Sequence, residues 1–239
     1  MNTRFAERTV LVAGGTGGLG RAVSLAFHGE GAQVLVTYRK QDELEGLRTD
    51  AGEGGSSIEG HRVDVTDENA VRQFLETLIA QHGRLDALVN TVGGYAGGAK
   101  TWESGADVLE RMLSLNLRSG HALMRAAVPH MIKQGRGSIV NVAAKAAVDP
   151  PAGAAAYAAS KAAAVALLES MASELKGTGV RVNSVLPSVI DTDANRRAMP
   201  NANFAKWPKP EDIARVILFL CSDDATVVHG AAVPVYGAD

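Results

Sequence analysis

Tyr157 and Lys161 stand four residues apart in "AAAYAASKAAAVALL", residues 154–168. Alanine forms helices better than any other residue and loses no side-chain entropy in doing so. The stretch therefore predicts a helix that needs neither a tyrosine nor a lysine to fold. On that helix a spacing of four puts both side chains on one face. A phenol has an ordinary pKa of ~10 and exchanges protons near neutrality only if that value is lowered. An ammonium one turn away favours the phenolate and does so directly. Such a pair supports proton transfer. A solvent-facing Tyr and Lys on an alanine-rich helix is the competing reading, and the rest of the chain decides between them.

The second constellation is "VLVAGGTGGLGRAVSLAF", residues 10–27, which runs from an apolar strand through glycines into a helix. Glycine allows a tight turn and close approach of a pyrophosphate, and the helix N-terminus favours its negative charge. Two registers fit: Gly15, Gly17 and Gly20 satisfy G-x-G-x-x-G, and Gly14, Gly18 and Gly20 satisfy G-x-x-x-G-x-G. The next strand ends in "VTYRK", residues 36–40. An NAD site usually has an acid near this point for the ribose 2′-hydroxyl. None stands at Thr37, Tyr38 or Arg39, whereas Arg39 and Lys40 suit a 2′-phosphate and so favour NADP(H) over NAD(H). A tyrosine–lysine pair in the same chain as a dinucleotide site reads as the acid–base apparatus of hydride transfer.

These groups need a scaffold. Strands are expected at 9–13, 33–37, 58–63, 87–90, 138–142, 180–186 and 232–236. Helices are expected near 19–29, 41–50, 68–82, 107–132, 154–176 and 210–221. Apolar strands without polar alternation, separated by helices, predict a parallel sheet covered on both faces. The expectation is an α/β fold: a single doubly wound Rossmann domain over residues 1–239, about seven-stranded, with helices on both faces. No linker, repeat or low-complexity segment divides the chain. The 239 residues carry a formal charge of −2 with no basic cluster, which gives no sign of a nucleic-acid or membrane partner. Six scattered histidines lack metal-ligand spacing, so no metal is expected. The lone Cys221 excludes an internal disulfide. With no signal peptide and no apolar run near ~20 residues, a cytoplasmic protein is expected.

The motifs together resemble the short-chain dehydrogenase/reductase family over nearly the whole chain. "GGTGGLG" is similar to its glycine motif in the Gly14, Gly18, Gly20 register, and Asp64 in "RVDV" to the acid that contacts adenine. "NTVGG" retains Asn90 and Gly93 of the usual Asn-Asn-Ala-Gly, and Asn116 in "SLNL" matches the active-site asparagine. "LPSVIDT" stands for Pro-Gly-x-x-x-Thr, with Ser188 in place of the glycine and Thr192 as the threonine that meets the carboxamide. The resemblance implies that Tyr157 is the proton donor and that Lys161 lowers its pKa and holds the nicotinamide ribose. It also implies that Asn116 supports a water-linked proton path to that lysine. Cofactor contacts are implied at Gly14, Thr16, Gly18, Leu19, Gly20, Arg39, Lys40, Asp64, Val65, Asn90, Gly93, Tyr157, Lys161, Pro187, Ile190 and Thr192. Dimers or tetramers are implied as well, built partly on the small residues Ala158, Ala162 and Ala166 and on a C-terminal strand.

One feature departs from the family pattern. The family's catalytic serine lies thirteen residues before the tyrosine, and here that position is Ala144 in "IVNVAAKAAV". A methyl group cannot hydrogen-bond a carbonyl oxygen, so ordinary ketone chemistry loses a polarising donor. The lid, "LPSVIDTDANRRAMPNANFAKW" (186–207), resembles that of the dihydropteridine reductase branch, which also lacks the serine. "ALVNTVGGYAGG" (87–98) and "AAKAAV" (143–148) resemble the same branch. This points to a planar imine or quinonoid substrate such as a quinonoid dihydropteridine, with Tyr95, Ala144 and Trp207 as substrate contacts; Trp102 is a further aromatic candidate. That branch carries an acid after the second strand where this chain has Tyr38 and Arg39. A carbonyl reductase of 3-oxoacyl or ketone type, similar in its "CSDDATVVHGAAVPVYG" tail, and a silent dinucleotide-binding protein are the alternatives.

Overall fold

The computed structural model describes residues 4–238. Its centre is a sheet of seven parallel strands: β1 (Thr9–Ala13), β2 (Gln33–Tyr38), β3 (Glu59–Arg62), β4 (Ala87–Asn90), β5 (Gly137–Val142), β6 (Val180–Pro187) and β7 (Ala232–Val235). They lie in the order β3-β2-β1-β4-β5-β6-β7. The helices are α1 (Gly18–Gly29), α2 (Gln41–Asp50), α3 (Glu68–His82), α4 (Ala106–Leu113), α5 (Ser119–Gln134), α6 (Ala155–Glu174), α7 (Asp193–Ala198) and α8 (Pro210–Cys221). The pattern of buried apolar strands and intervening helices is therefore realised as expected. The predicted helix at 107–132 differs, because α4 and α5 are joined by a π-helical turn at Ser114–Arg118.

Strand register explains why the apolar runs do not alternate with polar residues. Leu35, Leu11, Leu88, Ile139 and Val182 form one continuous row across five strands. This row packs with Leu75, Leu123 and Leu168 from α3, α5 and α6. One residue further along, Val36, Val12, Val89 and Val140 form a row on the opposite face, against Phe27 of α1 and Ile217 of α8. Successive side chains point to opposite faces, so both sets must be apolar when helices cover both sides. Burying each Val or Leu contributes roughly 1.5–3 kcal/mol before chain entropy is counted. The next row is Ala13, Asn90, Asn141 and Ser184. Its polar character marks the C-terminal edge of the sheet. The strand order reverses between β1 and β4, and a crevice at such a switch point is where open α/β sheets bind ligands.

Among the described residues no helix is long and apolar enough to cross a membrane. The alanines of α6 do not all face outward. Ala158 is buried within the subunit against Ala144 and Ala146, while Ala166 is exposed. The proposed contact face is thus narrower than the sequence suggested, because Ala158 is consumed by packing inside the chain.

Candidate active site

The glycine turn follows β1 and is shaped by close contacts that exclude side chains. Gly14 has φ +74, and a Cβ at Gly20 would lie 2.1 Å from the Gly14 carbonyl oxygen. At Gly17 a Cβ would meet nothing nearer than the same oxygen at 3.4 Å. Sterics therefore leave room at Gly17, whereas Gly15, where a Cβ would lie 2.5 Å from Val36 Cγ1, is as confined as Gly18 and Gly20. Thr37 Oγ1 accepts from the Gly14 amide at 2.8 Å, and Thr91 Oγ1 donates to the Ala13 carbonyl at 2.8 Å. Neighbouring strands thus fix the turn through two threonines that the sequence reading did not single out. The first amides of α1 have no intrahelical partner, which makes a cradle for a pyrophosphate. A Cβ on Gly18 would lie 2.8 Å from Thr192 Cγ2, so the lid's first turn closes on the glycine turn. Thr192 itself caps α7 by accepting from Asn195 N at 3.2 Å. Pro187 ends β6 and Ile190 packs against the core beside it. These residues fit a dinucleotide.

At the adenosine end, Leu19 and Val65 are buried. Asp64 Oδ1 accepts from the Thr66 amide at 2.9 Å and its hydroxyl at 2.6 Å. Those two bonds, and more weakly the Arg39 guanidinium, hold its carboxyl below the usual range. Arg39 is exposed and has no hydrogen-bond or ion-pair partner among the described residues. Lys40 differs, standing 3.5 Å from Glu43. Asn90 does not turn toward the crevice. It is buried, donates through Nδ2 to Asn141 Oδ1 at 2.8 Å and accepts from Val92 N at 3.2 Å. Its side chain joins β4 to β5 and shapes the loop after β4.

Tyr157 and Lys161 lie on one face of α6, as their spacing requires. Lys161 is 5% exposed and its Nζ donates to the Val142 carbonyl at 2.9 Å, at the end of β5. Burial pulls its pKa down to about 8. Burial, and then Tyr95, push the Tyr157 phenol up to about 12. The expected direct lowering of the phenol by Lys161 is corrected: the ammonium is anchored on the β5 carbonyl, and desolvation dominates at the phenol. The phenol is thereby kept protonated, the state a proton donor needs. Asn116 sits in the π-helical turn between α4 and α5, buried, and accepts from the Gly94 amide at 2.8 Å. Its Nδ2 donates to the Gly94 carbonyl at 3.0 Å and to Ser160 Oγ at 2.9 Å. A Cβ on Gly93 would lie 2.9 Å from Asn116 Oδ1 and 3.1 Å from Lys161 Nζ, so both groups converge on Gly93. Asn116 clamps the loop after β4 to α6. Ser160, which also donates to the Tyr157 carbonyl at 2.7 Å, completes the clamp and escaped the sequence reading.

Ala144 is buried and its methyl belongs to the cluster of Ala146, Ala158 and Tyr157. The Tyr95 ring packs edge-on against Tyr157 with centroids 5.0 Å apart. Tyr95 also borders a cleft of about 620 Å³ between α4 and α6, walled by Val108, Leu109, Arg111, Ala155 and Ala156, which Tyr157 and Ala144 do not line. Trp207 is not brought to this group. It is 8% exposed and packs on Phe204, which corrects the expectation of a substrate contact to one of lid packing. Trp102 is exposed under Lys100, and Arg196 pairs with Asp191.

Comparison with known proteins agrees with this geometry. The short chain dehydrogenase family model matches residues 8–203. A 3-oxoacyl-(acyl-carrier-protein) reductase of Thermotoga maritima is 31% identical over 242 residues, covering 98% of each chain. A meso-2,3-butanediol dehydrogenase of Serratia marcescens is also 31% identical, covering 98% of this chain and 95% of that one. A solved short-chain dehydrogenase/reductase of Mycobacterium ulcerans superposes with TM-score 0.92 at 29% identity, over 98% of this chain and 90% of that one. ElxO with NADP bound superposes at 0.89 and 25% identity, over 96% and 97% of the two chains. An NAD⁺-bound xylitol dehydrogenase superposes at 0.89 and 26% identity, over 98% and 99%. With its seven-stranded parallel sheet, glycine cradle and Tyr157–Lys161 pair, the chain belongs to the short-chain dehydrogenase/reductase family and is an NAD(P)-dependent oxidoreductase.

Proposed function

We propose that this protein, read as one domain, reduces a planar imine or quinonoid compound, with a quinonoid dihydropteridine as the leading candidate and NADPH as the favoured donor. The observation that carries the reading is the Ala144 methyl packed beside Tyr157 where the family's pattern has a hydroxyl. A bound dihydronicotinamide supplies the hydride. The Tyr157 hydroxyl supplies the proton, so hydride plus proton complete a two-electron reduction. A conjugated imine needs no separate donor at a carbonyl oxygen, and the Tyr157 hydroxyl suffices. The Tyr95 ring, edge-on to Tyr157, suits a flat heterocycle. Arg39, exposed and unpartnered among the described residues, supports the phosphate reading of the cofactor.

The second reading is a carbonyl reductase, favoured by the 3-oxoacyl reductase and butanediol dehydrogenase names of its relatives. Screening wild type and Ala144→Ser with quinonoid dihydropterin, quinones and ketones, followed by loss of reduced-nicotinamide absorbance, separates the two. The first reading expects dihydropterin turnover that is unchanged or slower in Ala144→Ser, with weak ketone activity improved. One oxyanion donor contributes about 3–4 kcal/mol to a carbonyl reaction. A large ketone gain with no pterin turnover in either protein establishes the carbonyl reductase instead. We also propose a cytoplasmic homodimer or homotetramer assembled partly through α6 and β7; a monomer by light scattering would overturn the assembly.

A further inference from the structure

An acid stands near the end of β2, on the helix that follows it. Glu43 lies in the first turn of α2, and its Oε2 accepts from Thr16 Oγ1 at 3.2 Å. Its Oε1 stands 3.5 Å from Lys40 Nζ. One carboxylate therefore holds both the hydroxyl of the glycine turn and one of the two cations that follow β2. Arg39, the other cation, is left without a partner among the described residues.

We propose that Glu43 is a cofactor-specificity residue that limits the preference for a 2′-phosphate. It occupies Thr16 and Lys40, two groups that would otherwise serve the phosphate, and it opposes that phosphate by like charge. Arg39 attracts the phosphate and Glu43 repels it, so the chain takes NADPH first while keeping NADH usable. A ribose 2′-hydroxyl carries no charge and meets no such opposition. The proposal rests on the reading of Arg39 as a phosphate partner.

The test is binding, not turnover. NADPH and NADH are titrated calorimetrically into wild type, Glu43→Gln and Glu43→Asp, with thermal unfolding as the check on folding. Glu43→Gln is expected to tighten NADPH by about tenfold, the effect of removing one partly screened like charge. NADH affinity should stay where it is, and Glu43→Asp, which keeps the charge, should stay near the wild-type ratio. An unchanged NADPH/NADH ratio in folded Glu43→Gln overturns the proposal, as does an equal loss for both cofactors, which would make Glu43 a tether of the glycine turn only. Arg39→Ala keeps the two readings apart. Weaker NADPH binding there, with an unchanged ratio in Glu43→Gln, removes Glu43 alone. Unchanged NADPH binding in Arg39→Ala removes the phosphate role of Arg39. That result removes the proposal for Glu43 with it, whereas weaker NADPH binding in Arg39→Ala together with a raised NADPH/NADH ratio in Glu43→Gln supports both.

Discussion

The two ends of the sheet are both concave and both polar, yet only one is equipped for chemistry. At the N-terminal ends of β5 and β6 a cavity of about 370 Å³ is lined by Arg8, Asp86, Arg136, Arg181, Cys221 and Asp223. Its charges are consumed internally. Asp86 accepts from Thr9 N at 2.9 Å and from Arg84 at 2.6 and 2.7 Å, and Arg8 pairs with Asp223. Arg181 donates to the carbonyls of Leu220 at 2.7 Å and Ser222 at 2.8 Å, and burial pushes the Cys221 thiol up to about 12. At the C-terminal ends the situation is reversed. Lys161 is buried without a carboxylate, the half-buried Tyr157 has no hydrogen bond from its hydroxyl to any described residue, and exposed Arg39 is unpartnered among them. Volume and charge do not identify a site. Polar groups gathered at the switch point with hydrogen-bonding capacity left unused point to one, because a ligand can take that capacity up.

The contrast breaks first at Tyr157. Tyr157→Phe is expected to lower turnover of any reduced substrate by about 10²–10⁴-fold, the contribution of a positioned general acid. Cofactor affinity and melting temperature should hold, and an unchanged kcat would remove Tyr157 from the reaction. The opposite end should answer in the other coordinate. Asp86→Ala is expected to lose about 2–3 kcal/mol of stability by urea titration, since its charge-assisted bonds contribute about 1.5–3 kcal/mol each before solvent screening at Arg84. Its NADPH affinity should not move, and a large change would show that the two ends are coupled.

Lys161 sharpens the comparison through pH. Its folded value of about 8 lies below the ordinary 10.5, so between those values the unfolded chain binds the extra proton and stability rises with pH. The ammonium therefore weakens the fold near neutrality. Lys161→Met is expected to lose turnover while gaining on the order of 1–3 kcal/mol of stability at neutral pH. The difference from wild type should shrink as pH climbs through that window, and a constant difference would refute the buried-charge account. The smallest effect is expected at the rim: Arg39→Glu should reverse the NADPH preference, a charged hydrogen bond being worth about 1.5–3 kcal/mol, with stability unchanged. Equal wild-type affinities for the two cofactors would remove that role.

Periodicity and local chemistry made much of this molecule legible. The leucine and valine runs required a sheet covered on both faces, since a strand's side chains alternate and no polar residue interrupts them. A spacing of four put Tyr157 and Lys161 on one helix face, and the glycines announced a strand–turn–helix. Ala144 was readable as a missing donor only through the resemblance to the family, whose serine stands thirteen residues before the tyrosine. What the chain did not reveal along its length depends on partners far apart in it. The open space at Gly17 exists only in the folded turn, and Asn116 in the π-helical turn reaches Gly94 and Ser160. Asn90 joins β4 to β5 because Asn141 lies opposite it. Lys161 looked like a direct neighbour of the phenol and instead found the Val142 carbonyl. Glu43 carried no signal of its own, because the helix that presents it to Thr16 is placed only when β2 and α2 fold onto the glycine turn. Sequence determined residue types, faces and strand–helix rhythm, which are local; the tertiary structure decided which polar groups find partners, and a hydrogen bond's geometry is fixed only when both of its ends are in place.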